Sequence, residues 1–252
     1  MTHANRGEAG LSLLFAPGSR PGAADVARLA AEPASAGDWP GFSISYAPDA
    51  PASWLELLAS GLTFDLSGLV PGEPAAPVPC GAAIGLARDE AAGPFEAVDL
   101  VPGAHLAGGE AILPIVRVHV GLGARLAGLP GVSAVAWRPA RTWIEPGAFI
   151  RMVGAWLDGG AFPALALTAL VRSGDALVTE GLAFFVGCEL RLEPGLVESE
   201  AEAAKLAVRL VHHIVEAGRD GALGPQVTAE GLRLTVGESG DGRYLEVRRG
   251  EP

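Results

Sequence analysis

The side chains in this sequence that could do chemistry are few and widely spaced. Of five histidines, only His212 and His213 adjoin. Neighbours on a helix point about 100° apart, so these two cannot form the one-turn pair that HxxxH spacing gives a metal ion. His212 falls on a polar helix face with Lys205, Arg209 and Glu216, and His213 flanks an apolar stripe, while His105 and His119 stand alone. Cys80 and Cys188 lie far apart and outside any CxxC arrangement, which supports neither a zinc ribbon nor a thioredoxin-like site and leaves a disulfide open. No metal and no cofactor are expected. The chain has no GxSxG elbow, HExxH pair, Walker loop, or GxGxxG followed by its acidic partner, and its serines and acids are too dispersed to nominate a triad. Glu145 reads as an early-helix acid favoured by the helix dipole. Glu180 interrupts an otherwise apolar strand, as a turn-proximal or edge residue would.

The densest concentration of recognition-type residues is Trp137, Arg138, Arg141, Trp143 and Arg151. Arginine holds a carboxylate or phosphate through two parallel hydrogen bonds, and a nearby indole adds a flat apolar wall. With Glu180, these residues are the candidate binding set. The competing structural reading puts both indoles in the core and pairs the arginines with the excess acids.

The elements that would position these groups follow from pattern. Gly131 to Pro194 reads as strand, helix and hairpin: the apolar segment Val132–Trp137, a helix opening near Glu145-Pro146, and two apolar runs read as strands. The runs are Pro163–Val171 and Gly181–Val186, joined across Ser173-Gly174-Asp175. Cys188 to Glu193 then alternates strictly, sending Cys188, Leu190 and Leu192 to one face and Glu189, Arg191 and Glu193 to the other. Upstream, Leu11–Ala16, Phe42–Tyr46, Leu62–Ser67 and Ala82–Ala87 read as strands, Pro21–Glu32 as a helix, and Ser53–Ala59 as a short helix closed by Gly61. Pro71–Pro79 is an irregular link. Gly109–Leu129 fits both periods and is read as a helix because Gly128 and Pro130 make a natural stop. Ser199–Ala217 is the clearest helix, with capping-box spacing between Ser199 and Glu202 and the stripe Ala203, Leu206, Ala207, Leu210, Val211 and Ile214. A final hairpin is expected about Gly240-Asp241-Gly242. The whole predicts an α+β fold, mixed or antiparallel sheets packed on helices, as two α+β halves, 1–105 and 106–252, that can form one compact domain.

From Gly109 to Ala217, somewhat under half of the chain, the order of these features resembles a bacterial family of domains of unknown function, numbered 4261. The carriers are the helix, the Val132–Trp137 strand, the helix near Glu145-Pro146, the strand from Pro163, the step Thr179-Glu-Gly-Leu182, and Cys188-Glu-Leu-Arg191. The resemblance implies an α+β fold and brings no established reaction, hence no catalytic residues. Composition adds bounds: 252 residues with 49% hydrophobic content suffice for a substantial core, and 29 acids against 18 bases, a net charge of -11, disfavour nucleic-acid and anionic-membrane binding. No signal core or spanning segment is read, so a cytoplasmic location is expected. The expected function is non-catalytic binding of a protein or a small acidic ligand. The alternative is a small hydrolase using dispersed acid and histidine side chains.

Overall fold

In the computed structural model, which describes residues 9–33, 41–49, 51–87 and 90–250, the chain divides into two units, Met1–Ala161 and Phe162–Pro252. The expected boundary at 105/106 falls inside the first of these, because strands on both sides of it pair with the same central strand. That strand is β1 (Leu11–Phe15). It is followed by α1 (Ala23–Ala31), β2 (Phe42–Tyr46), β3 (Trp54–Ala59), β4 (Leu62–Ser67), β5 (Ala82–Ile84), β6 (Glu96–Pro102), α2 (Leu113–Leu126), β7 (Val132–Trp137), β8 (Thr142–Ile144) and α3 (Pro146–Leu157). The eight strands form one sheet in the order β2-β3-β4-β6-β1-β7-β8-β5, antiparallel except where β5 runs parallel to β8.

All five residues of β1 are buried, so both faces of the sheet are covered at its centre. On one face α2 comes so close that a Cβ at Gly123 would lie 2.7 Å from Leu11 Cδ1, which is why glycine occupies that helical position. On the other face Leu14 packs with Ala97, Ala134, Ala136 and Trp143 beneath Ala75, Val78, Leu86 and Phe95. The proline-rich link therefore serves as a lid on the sheet.

The expected helix over Ser53–Ala59 is a strand. Its alternation buries Leu55, Leu57 and Ala59 and turns Trp54, Glu56 and Leu58 outward. Ser60 (φ 49°) and Gly61 (φ 79°) form the two-residue turn into β4, so Gly61 belongs to a hairpin and not to a helix cap.

The second unit contains α4 (Ala164–Leu167), β9 (Ala169–Ser173), β10 (Ala176–Glu180), α5 (Leu182–Val186), β11 (Glu189–Leu192), α6 (Glu200–Gly221), β12 (Gly224–Val227), β13 (Arg233–Glu238) and β14 (Tyr244–Arg249). Its six strands run in the order β12-β13-β14-β11-β10-β9, all antiparallel except β11 with β14. The predicted turn at Ser173-Gly174-Asp175 joins β9 to β10. The two apolar runs around it are not simple strands. Pro163 precedes a helical turn closed by the Thr168 hydroxyl, which donates to the Ala164 carbonyl at 2.6 Å, and the strand starts only at Ala169. Gly181–Val186 becomes α5, set between Gly181 (φ 96°) and Gly187 (φ 81°). The predicted long helix is α6, whose Ser199 hydroxyl accepts from the Glu202 N–H at 3.2 Å and whose Leu206, Ala207, Leu210, Val211 and Ile214 are buried. The fold is α+β, with mixed sheets and helices in each unit. No helix among the described residues is long and apolar enough to cross a membrane.

Candidate functional site

Most of the Trp137–Arg151 cluster is used inside the first unit. Trp137, the last residue of β7, is fully buried, and Trp143 in β8 is 6% exposed with its indole N–H donating to the Val78 carbonyl at 3.1 Å. Neither indole is displayed as a binding wall, because a strand buried on both faces points each of its side chains into packing. Arg138 opens a single 3-10 turn, Arg138–Ala140, and its guanidinium reaches back across the sheet. It donates to the Ser12 hydroxyl at 3.0 Å and pairs with Asp99, which also accepts from Ser12 at 2.7 Å. Arg151 faces Glu145 at 3.9 Å. Glu145 is the N-cap of α3, accepting from Gly147 and Ala148 at 2.8 and 2.6 Å. Arg141 is exposed, as Arg151 is, and lies in the left-handed region at φ 51°; its carbonyl accepts from the Gly81 and Ala82 N–H groups and so docks β5 beside β8. Glu180 lies in the second unit at the end of β10, opposite Ala169 in register.

Three of the described histidines, His119, His212 and His105, are likewise engaged by their surroundings. His119 is 1% exposed on α2, its ring stacked on Phe64 at 5.3 Å and edge-on to Trp137 at 5.8 Å. Its Nε2 lies 3.0 Å from the Leu100 carbonyl, which can only accept, so Nε2 carries the proton and Nδ1 is left without a hydrogen-bond partner among the described residues. Burial holds its pKa down at about 4, with the Leu100 bond opposing. His212 accepts the Phe162 N–H at Nδ1 (3.1 Å) and turns Nε2 to Glu216 at 3.4 Å. His105 sits 3.3 Å from the Thr63 hydroxyl. Among the described residues no group of three or more His, Cys, Asp or Glu is placed to hold a metal ion.

In the second unit the step Thr179-Glu180-Gly181-Leu182 is organised by a residue further along, Glu189. Its carboxylate accepts the Thr179 hydroxyl at 2.6 Å and the Gly181, Leu182 and Ala183 N–H groups at 2.9, 3.1 and 3.2 Å. This cradle satisfies the first amides of α5, which have no partner within the helix.

Beside it, β11 and β14 bring together a group that spacing did not reveal. Alternation in β11 sends Leu190 and Leu192 inward and leaves Arg191 exposed. Parallel pairing sets Glu189 beside Tyr244, so Tyr244 and Arg243 arrive next to Arg191 from more than fifty residues away in sequence. The Arg191 and Arg243 guanidinium carbons lie 5.9 and 5.8 Å from the Tyr244 ring centroid, within cation–π range. The approach to Tyr244 is fixed by a short loop: Ser239 and the Arg243 N–H both donate to Asp241, at 2.7 and 3.1 Å, and the Tyr244 N–H donates to Ser239 at 2.9 Å. Those bonds, from Ser239 first and then the Arg243 amide, hold the Asp241 carboxyl below its usual range.

Four other arginines of the unit pair with carboxylates. Arg172 pairs with Glu200, Arg209 with Glu230, Arg219 with Glu238, and Arg248 with Glu193 and Glu246. Arg191 and Arg243 make no ion pair with a carboxylate among the described residues, although Arg191 stands opposite Glu246 in register and the Arg243 charge helps to lower the Asp241 pKa. The cavities along α6, about 540 and 510 Å³, offer no such convergence. The larger is lined by Lys205, Arg209 and Arg249 and equally by Glu198, Glu202 and Glu230.

The sequence signal for Arg191 was its place on the wet face of an alternating strand. Tyr244 and Arg243 gave none, since only the parallel β11–β14 pairing brings them there. Comparison of the chain with family models, with curated proteins and with solved structures found no match.

Proposed function

We propose that the chain is a non-catalytic binding module of the cytoplasm, and that its second unit holds an acidic group, carboxylate or phosphate, of a protein or small molecule. The observation that supports this is the pair of guanidinium groups, Arg191 and Arg243, converging on Tyr244 with no carboxylate at ion-pair distance among the described residues. The net charge of -11 argues against an extended polyanion such as a nucleic acid, which would meet repulsion beyond this small patch. A hydrolase would need a histidine and an acid facing one cleft. His212 does face Glu216 at 3.4 Å, but its Nδ1 is taken by the Phe162 N–H and neither residue lines the cavities along α6, while His119 is buried against Phe64 and Trp137.

The test is an NMR titration of the arginine Nε–H signals with sodium phosphate and sodium succinate against sodium chloride at equal ionic strength. Phosphate or succinate should shift the Arg191 and Arg243 signals saturably, and Arg191→Ala should weaken the shift at Arg243 while leaving the spectrum folded. Equal shifts in chloride, or shifts spread evenly over all exposed arginines, would remove the basis for the proposal.

A further inference from the structure

The side chain of Arg219 ties α6 to the loop that presents Arg243 and Tyr244. α6 leaves its helical course at Gly218, whose φ of 76° and ψ of 168° suit a residue without a Cβ, and Arg219 follows directly. Its guanidinium pairs with Glu238, the last residue of β13, and donates to the Gly242 carbonyl at 3.5 Å. These two partners stand on either side of the β13–β14 loop. The packing there is close, since a Cβ at Gly242 would lie 3.4 Å from Glu238 Oε1 and 3.6 Å from Arg219 Nη2. The Glu238 carboxylate thus anchors the guanidinium at the Gly242 carbonyl.

The peptide between Gly242 and Arg243 is where this contact acts. Gly242 sits at φ 69°, and the wide range of backbone angles open to glycine would let that peptide rotate. Here both of its ends are held: Arg219 donates to the carbonyl, and the Arg243 N–H donates to Asp241 at 3.1 Å. The Arg243 carbonyl in turn accepts from the Glu189 N–H of β11 at 2.9 Å. Contacts from α6, the loop and β11 therefore fix the Arg243 backbone, and with it the direction in which the side chain leaves toward the Tyr244 ring. We infer that Arg219 is a positioning residue of the anion site, acting by holding Arg243 in place and not by its own charge; this rests on the reading of Arg191, Arg243 and Tyr244 as that site. A long side chain that is already held gives up less freedom when it binds.

The arginine Nε–H signals of the full chain, followed through sodium phosphate and sodium succinate titrations at constant ionic strength, read the affinity, and circular dichroism confirms the fold of each variant. Arg219→Ala should weaken binding about two- to tenfold, the cost of ordering one long side chain on association. It should also lower the heteronuclear NOE of Arg243 Nε before any anion is added. Loss of a positive charge would weaken binding even without positioning, so Glu238→Ala separates the two effects. That variant deletes a negative charge, which by attraction alone would tighten binding, whereas release of Arg219 should weaken it by a factor similar to that of Arg219→Ala. Unchanged or tighter binding in folded Glu238→Ala, or an unchanged NOE at Arg243 in Arg219→Ala, would overturn the inference while leaving the anion site standing. A parent chain without saturable shifts would overturn the site itself, and this role of Arg219 with it.

Discussion

Acidification should destabilise the first unit through one residue, His119. In the fold its pKa lies at about 4, against 6.5 for an unperturbed histidine, because the ring is sealed from water between α2 and the sheet. Charging it would also turn Nδ1 into a buried donor with nothing to receive its proton. The sign follows from linkage: between these two pKa values the unfolded chain binds a proton that the folded chain refuses, so stability falls as pH drops from 6.5 toward 4 and this contribution levels off below. At roughly 1.4 kcal/mol per pH unit the loss amounts to about 3 kcal/mol. Carboxylates contribute their own acid dependence, so the measurement is a difference between the parent and His119→Phe, which keeps a ring of similar shape and removes the titration. Denaturant unfolding read by tryptophan fluorescence isolates the relevant unit, since all five tryptophans lie between residues 39 and 156. The parent should lose about 3 kcal/mol more than the variant between pH 7.5 and pH 4. A difference that stays constant over that range would show that His119 is charged in the fold or reaches water there.

Two further outcomes concern the second unit. Glu189→Ala should cost about 1.5–3 kcal/mol, since charge-assisted bonds to the Gly181, Leu182 and Ala183 amides and the Thr179 hydroxyl vanish together, and Glu189→Gln should cost less. Hydrogen exchange at residues 181–183 reads this directly, and unchanged protection there in Glu189→Ala would refute the cradle. Leu206→Ala and Leu210→Ala, at 2% and 7% exposure, should each lose about 2–5 kcal/mol in urea titrations followed by circular dichroism. The exposed Lys205→Ala should stay within about 0.5 kcal/mol, and equal losses at all three would mean that α6 does not pack by this face.

What could be read from the sequence was what local chemistry decides. The cap at Ser199 and the stripe through Leu206 and Leu210 lie within one segment, so α6 was legible without its surroundings. Trp54–Ala59 was not, because leucine, glutamate and alanine favour helix, and only pairing across the Ser60-Gly61 turn makes the segment a strand. Apolar runs without period proved ambiguous. Gly181–Val186 is helical because a carboxylate from Glu189, beyond its far end, satisfies its first amides, an arrangement no propensity encodes. The candidate site divides in the same way. The exposure of Arg191 was written in the alternation of its strand, whereas Tyr244 and Arg243 depend on a strand pairing set by the whole unit. The tryptophans and arginines near Trp137 were conspicuous by type, but type does not distinguish a displayed indole from one on a doubly covered strand. Nor did spacing show that the 3-10 turn aims Arg138 back at Asp99.

The central position of β1 bears on how the protein is made. Leu11–Phe15 pairs on one side with Glu96–Leu100 and on the other with residues 132–137. During translation the strand leaves the ribosome long before either neighbour has been synthesised. At about 5–20 residues per second, the last of those partners follows on the order of ten seconds later. Through that interval a run of apolar residues that ends with both faces buried has no native contact available within the sheet. β2, β3 and β4, linked by short-range pairing, can form meanwhile. The growing chain therefore builds one edge of this sheet first and must keep β1 free until β6 and β7 emerge to receive it.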